Sequence, residues 1–157
     1  MFVVSACLLG SDCKYNGENN HNQEVESFLS DYEYITVCPE CLGGLGVPRS
    51  QYEIKDGDGN DVLKGAAKVI DKDGNDVSDE FLAGARKSLE LAVDSGAKLA
   101  ILKARSPSCG VEKIYDGSFS GELKQGKGVT AELLQKSGIK IFNENQLGTA
   151  RELAEKL

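Results

Sequence analysis

The chain has 157 residues, 40% hydrophobic and 27% charged, enough for one domain to bury a core without disulfide staples. A formal net charge of −7 and the absence of Trp argue against a nucleic-acid polymer, whose backbone needs cations and whose bases need stacking platforms. No apolar run reaches the roughly 20 residues of a membrane span, and Met1–Cys7 carries no basic leader, so the expected location is cytoplasmic.

The first apolar run, Phe2–Ala6, is too short for a helix and reads as a buried strand that ends at Cys7-Leu8-Leu9-Gly10. After a polar stretch rich in Asn and Gly, Val25, Phe28 and Leu29 give Glu24–Leu29 a helical face. Tyr34–Val37 is β-branched and aromatic, a second strand that stops at Cys38-Pro39. A glycine-rich connection runs from Gly43 to Pro48. The segment around 52–76 then contains two Asp/Gly/Asn clusters, starting at Asp56 and Asp71. Neither continues into the glutamate and helices of a calcium loop, so both are read as tight turns of a hairpin-like excursion.

Ser78 opens the clearest helix, with Phe81, Leu82, Ala85, Leu89, Ala92 and Val93 as its apolar face and Gly96 as its stop. Leu99–Leu102 is apolar throughout, as expected of a strand buried on both faces of a parallel sheet. A turn containing Ser106-Pro107-Ser108-Cys109-Gly110 follows. A turn-rich stretch from Tyr115 to Gly128, a helix at Val129–Lys136, a strand at Ile139–Phe142 and a terminal helix from about Gln146 complete the chain. Strand and helix alternate, which predicts a single α/β domain spanning 1–157, its mostly parallel sheet flanked by helices.

Five cysteines in a reducing compartment read as metal ligands or reactive thiols rather than as a disulfide framework. Cys7 and Cys38 follow the first two strands, and Cys109 lies a short turn past the third. Parallel strands end along one edge, so these three thiols are predicted to meet where open α/β sheets bind ligands. Zinc or an iron–sulfur cluster would suit such a donor set. Only Cys38 and Cys41 have the close spacing of a zinc knuckle, and the glycine-rich flanks favour a cluster by letting backbone amides approach its sulfides.

The pattern Cys7-Leu8-Leu9-Gly10 with Cys13-Lys14-Tyr15-Asn16-Gly17, then Cys38-Pro39-Glu40 and Gly43–Arg49, resembles the thiouracil desulfidase family. Lys103 with Ser106–Gly110, Ile114–Gly117 and Gly126–Ala131 continue the match in order, over about residues 3–145. The resemblance implies a [4Fe-4S] cluster held by Cys7, Cys38 and Cys109, with one iron open to the sulfur of a small thiolated pyrimidine such as 2-thiouracil. In aerobically prepared protein that cluster is prone to loss or replacement. The implied reaction is a non-redox desulfuration that releases sulfide, with water supplying the replacement oxygen. Glu40 would then handle protons, and Ser106 would contact or protonate the substrate. Cys13 and Cys41 stand as candidate extra ligands.

Other readings of the same residues remain. Cys38-Pro39-Glu40-Cys41 fits a cytosolic thiol oxidoreductase, although that leaves Cys7 and Cys109 without a role. A cluster or zinc protein that senses rather than catalyses is a further alternative. Ser106 and Ser108 have the ordinary role of satisfying turn amides, and Arg49 has a choice between clamping a substrate carbonyl and pairing with a carboxylate. His21, flanked by Asn20 and Asn22, belongs to a loop and is assigned nothing.

Overall fold

In the computed structural model, which describes Met1–Leu157, the first apolar run forms strand β1 (Phe2–Ser5) with all four side chains buried. It exits through a single 3-10 turn, Ala6–Leu9, ended by Gly10 at φ 92°. Helix α1 (Gln23–Leu29) begins where the Asn22 side chain accepts the Val25 amide, and it buries Val25, Phe28 and Leu29. Strand β2 (Tyr34–Val37) leads straight into α2 (Pro39–Leu42), one turn of helix with Pro at its first position.

The excursion consists of β3 (Glu53–Lys55), α3 (Gly59–Leu63) and β4 (Lys68–Ile70), with the two strands paired antiparallel. The first acidic cluster therefore does not form the tight turn expected of it. Asp58 accepts the Asp61 amide while Asp61 accepts the Asp58 amide, a reciprocal cap that starts a helix instead. The second cluster is a turn, closed on Asp71 by the amides of Asp73 and Asn75.

Beyond it lie α4 (Ser78–Ser95), β5 (Leu99–Leu102), the antiparallel pair β6 (Lys113–Tyr115) and β7 (Leu123–Gln125), α5 (Val129–Lys136), β8 (Lys140–Asn143) and α6 (Leu147–Ala154). The main sheet runs β2-β1-β5-β8 and every pair in it is parallel. Successive side chains alternate across it. Phe2, Val4, Leu99 and Ile101 join Val25, Phe28 and Ala150 of α1 and α6, while Val3, Ala100 and Leu102 join Ala92, Ala131 and Leu134 of α4 and α5. The excursion packs Ile54, Val62 and Val69 against Phe81, Ala85 and Val129, away from the sheet. From β1 the chain steps outward to β2 and then crosses back to the other side of β1. That reversal opens a crevice at the carboxyl ends of β1 and β5.

Helix α4 departs from its expected face in one respect. Val93 is 63% exposed, while Gly84 and Ser88 are buried. The small residues are needed because α2 crosses α4 backbone to backbone. A Cβ on Gly84 would lie 1.9 Å from the Pro39 carbonyl oxygen, and one on Gly43 would lie 1.9 Å from that of Glu80. Gly43 thus serves helix packing, a different role from the approach to a cofactor that the glycine-rich flank implied. Gly84→Ala is expected to cost roughly 1–3 kcal/mol by overpacking. Thermal unfolding measures it, and an unchanged midpoint would show that α2 moves aside freely.

Candidate active site

The ends of β1, β2 and β5 open on one edge of the sheet, and the residues that follow them border a single cavity of about 500 Å³. Cys7 comes from the 3-10 turn after β1, Cys38 from the position that begins α2, and Cys109 from the loop after β5. Cys13, in the loop before α1, borders the same cavity. Cys41 does not; it is exposed one turn along α2. All five cysteines are free thiols.

Hydrogen bonds set the charge state of this group. Cys38 falls to about 6, chiefly because the Cys13 thiol donates to it, helped by the amide and thiol of Cys41. Cys7 falls to about 7 for the same first reason, with the Asn20 side chain and the Lys103 charge contributing. Cys13, the donor to both, is pushed up. It carries one proton, so it serves Cys7 and Cys38 in turn. Burial drives Cys109 up to about 12, although the Ser5 hydroxyl donates to its sulfur and the Ser108 hydroxyl lies 3.7 Å from it. Burial also raises Cys41, to about 11.

No three Cys, His, Asp or Glu side chains converge as a ready site for one ion. Cys7, Cys13, Cys38 and Cys109 instead line one cavity, a sulfur-rich donor set that suits a soft-metal group.

The stretch of cavity wall beside Cys38 and Cys109 carries the predicted proton-handling residues. Glu40, in the first turn of α2, accepts from Arg49 Nε at 3.1 Å through Oε1 and from Ser108 Oγ at 3.1 Å through Oε2. Ser106 Oγ accepts the amides of Ser108 at 3.1 Å and Cys109 at 3.0 Å. Its remaining proton is thereby directed at Ser108 Oγ, 2.9 Å away. Ser106 thus performs the ordinary turn role and also belongs to a chain of hydroxyls that ends on Glu40.

The α5 N-terminus holds this loop from behind, its Val129 and Thr130 amides donating to the carbonyls of Pro107 and Ser108. On the far side, Lys103 Nζ pairs with Glu144 Oε2 at 3.2 Å, and the Lys103 amide donates to Ser5 Oγ at 2.9 Å. These contacts lock the end of β5 to those of β1 and β8.

A family model described as 2-thiouracil desulfurase matches residues 2–146 of the chain. The chain belongs to that family. Among its relatives is the uncharacterized protein YbbK of Bacillus subtilis (strain 168), 42% identical over 147 residues that make up 94% of this chain and 97% of the relative. Among solved structures, the [4Fe-4S]-dependent thiouracil desulfidase TudS superposes with a TM-score of 0.87 at 34% identity. The match covers 99% of this chain and 98% of that one. The single α/β domain with a mostly parallel sheet is therefore shared at the level of the whole chain.

In this 2-thiouracil desulfurase family member, Cys7, Cys13, Cys38, Glu40, Ser106 and Cys109 line one cavity, and Cys41 stands outside it. Tyr115 and Gly121, at the two ends of the turn joining β6 to β7, help to wall it. Sequence reasoning missed three things: the Arg49–Glu40 pair as part of the site, the bridging role of Ser108, and the Lys103–Glu144 ion pair. Arg49 was visible only as a cation among many carboxylates, and nothing local marked Glu40 as its partner. The Ser-Pro-Ser-Cys turn did flag Ser108, but not its reach to a residue in α2.

Proposed function

We propose that this protein removes sulfur from a small thiolated pyrimidine such as 2-thiouracil, using a [4Fe-4S] cluster held by Cys7, Cys38 and Cys109. The observation that carries the reading is the meeting of these three thiols, from three separate strand ends, in one cavity that Glu40 and Ser106 also border. Support comes as well from the likeness over nearly the whole chain to a [4Fe-4S]-dependent thiouracil desulfidase.

When bound, the cluster supplies Lewis-acidic iron with an affinity for sulfur. The protein supplies the rest. Hydrogen bonding from Cys13, to one of them at a time, together with neighbouring dipoles lowers the cost of ionising Cys7 and Cys38 as ligands. Overall, a thiocarbonyl and water become a carbonyl and hydrogen sulfide, with no electron gained or lost. Glu40, an acceptor at both oxygens, takes a proton from the attacking water at Oε2. The hydroxyls of Ser106 and Ser108 carry a proton along the cavity wall.

The contact of Cys41 with Cys38 favours a second reading, a thiol oxidoreductase with Cys38 as its attacking sulfur. It leaves Cys109 idle. Protein prepared without oxygen separates the two: we expect about four irons and four labile sulfides per chain and release of sulfide from 2-thiouracil. A fully loaded protein that releases none from any thiolated base would end the desulfidase reading.

A further inference from the structure

Arg49 was open to two uses, a clamp on substrate or a partner for a carboxylate, and its contacts decide between them. Nε donates to Glu40 Oε1 at 3.1 Å, Nη1 to the Gly46 carbonyl at 3.2 Å and Nη2 to the Cys13 carbonyl at 2.8 Å. A further contact at 3.9 Å reaches the Cys41 sulfur. The side chain is only 6% exposed and is absent from the cavity lining. Its donors are nearly all taken, so it has little left to offer a substrate.

We propose that Arg49 is a positioning residue of the desulfuration, acting through Glu40; the proposal rests on the desulfidase reading above. Glu40 has a long side chain with several rotamers. The guanidinium fixes Oε1 at 3.1 Å, which leaves Oε2 facing Ser108 Oγ at 3.1 Å. The same fork ties the Cys13 loop and the Gly46 turn to α2, so the carboxylate and the thiol loop are held in one register. A planar, multi-donor cation is required, because a lysine reaches only part of this set.

The test compares R49M, R49K, E40Q and the R49M/E40Q double variant, each loaded with cluster without oxygen and assayed on 2-thiouracil. R49M is expected to lose kcat by about 100-fold with KM within about threefold, as for a misplaced catalytic group. R49K recovers part of that loss. In the E40Q background R49M costs nothing further, since the group it positions is already disabled.

Full kcat in R49M, a rise in KM alone, or an additional kcat loss in the double variant would each overturn the assignment. The second of these would make Arg49 a substrate clamp. Should R49M fail to fold, R49K against R49K/E40Q is read in the same way. Loaded wild-type protein that releases no sulfide would instead end the reading beneath the proposal, an outcome distinct from wild-type turnover that the Arg49 variants share.

Discussion

Single replacement of Cys7, Cys38 or Cys109 by Ser is expected to empty the site, with iron and labile sulfide falling to about a tenth of wild type or less and desulfuration falling with them. Ligand donation contributes directly to the free energy of holding a metal centre, so one lost thiolate is not made up by the other two. Cys109 is the most telling of the three. It is buried among core side chains as well as bordering the cavity, and that burial holds its thiol neutral. Cys41→Ser should keep both cluster and turnover within about a factor of two to three, the range of an exposed substitution. The oxidoreductase reading demands the reverse order, with Cys41→Ser inactive and Cys109→Ser spared. Metal analysis and sulfide release on the same preparations decide between them, and a Cys13→Ala protein that loses its iron would enlarge the ligand set.

Glu40→Gln is expected to leave the cluster in place and lower kcat by about 100- to 10,000-fold, the usual range for a positioned acid or base. Glu40 is an acceptor at both oxygens, toward Arg49 and toward Ser108. Gln has one acceptor oxygen and one amide donor, so its oxygen can stay on Arg49 only if its amide faces Ser108 Oγ, which must then accept and turn its own proton away. The Arg49 cation also loses the only carboxylate paired with it. A stability cost of about 1–3 kcal/mol follows from that unpaired group. Absorption of the loaded variant, its thermal midpoint and its turnover separate the effects. A variant that is fully active would remove Glu40 from the chemistry, whereas one without iron would make its role structural.

Much of the architecture was legible because element type is a local property. Four apolar residues at Leu99–Leu102, bounded by polar residues and too few for a helix, read as a short buried strand, and the face from Phe81 to Ala92 has the spacing of a helix against a core. Gly96 marks that helix end through a backbone conformation (φ 75°) that glycine adopts without strain. Where the sequence misled, a competing local effect won. The reciprocal cap of Asp58 and Asp61 turned an apparent loop into α3, and the backbone contact between α2 and α4 placed Gly84 rather than Val93 on the buried side.

By itself the sequence determined that the chain alternates strand and helix, that three cysteines stand at strand ends, and that parallel strands bring such ends to one edge. It did not determine the order β2-β1-β5-β8, which depends on which side of β1 the chain returns to. Nor did it determine that Arg49 meets Glu40, that Ser108 reaches across 68 residues to the same carboxylate, or that Cys13 lies between two thiolates. Hydrophobic burial repeats with the period of a helix or strand and so leaves a trace along the chain. A hydrogen bond between two loops has no period, and it exists only once the packed layers have fixed where those loops run.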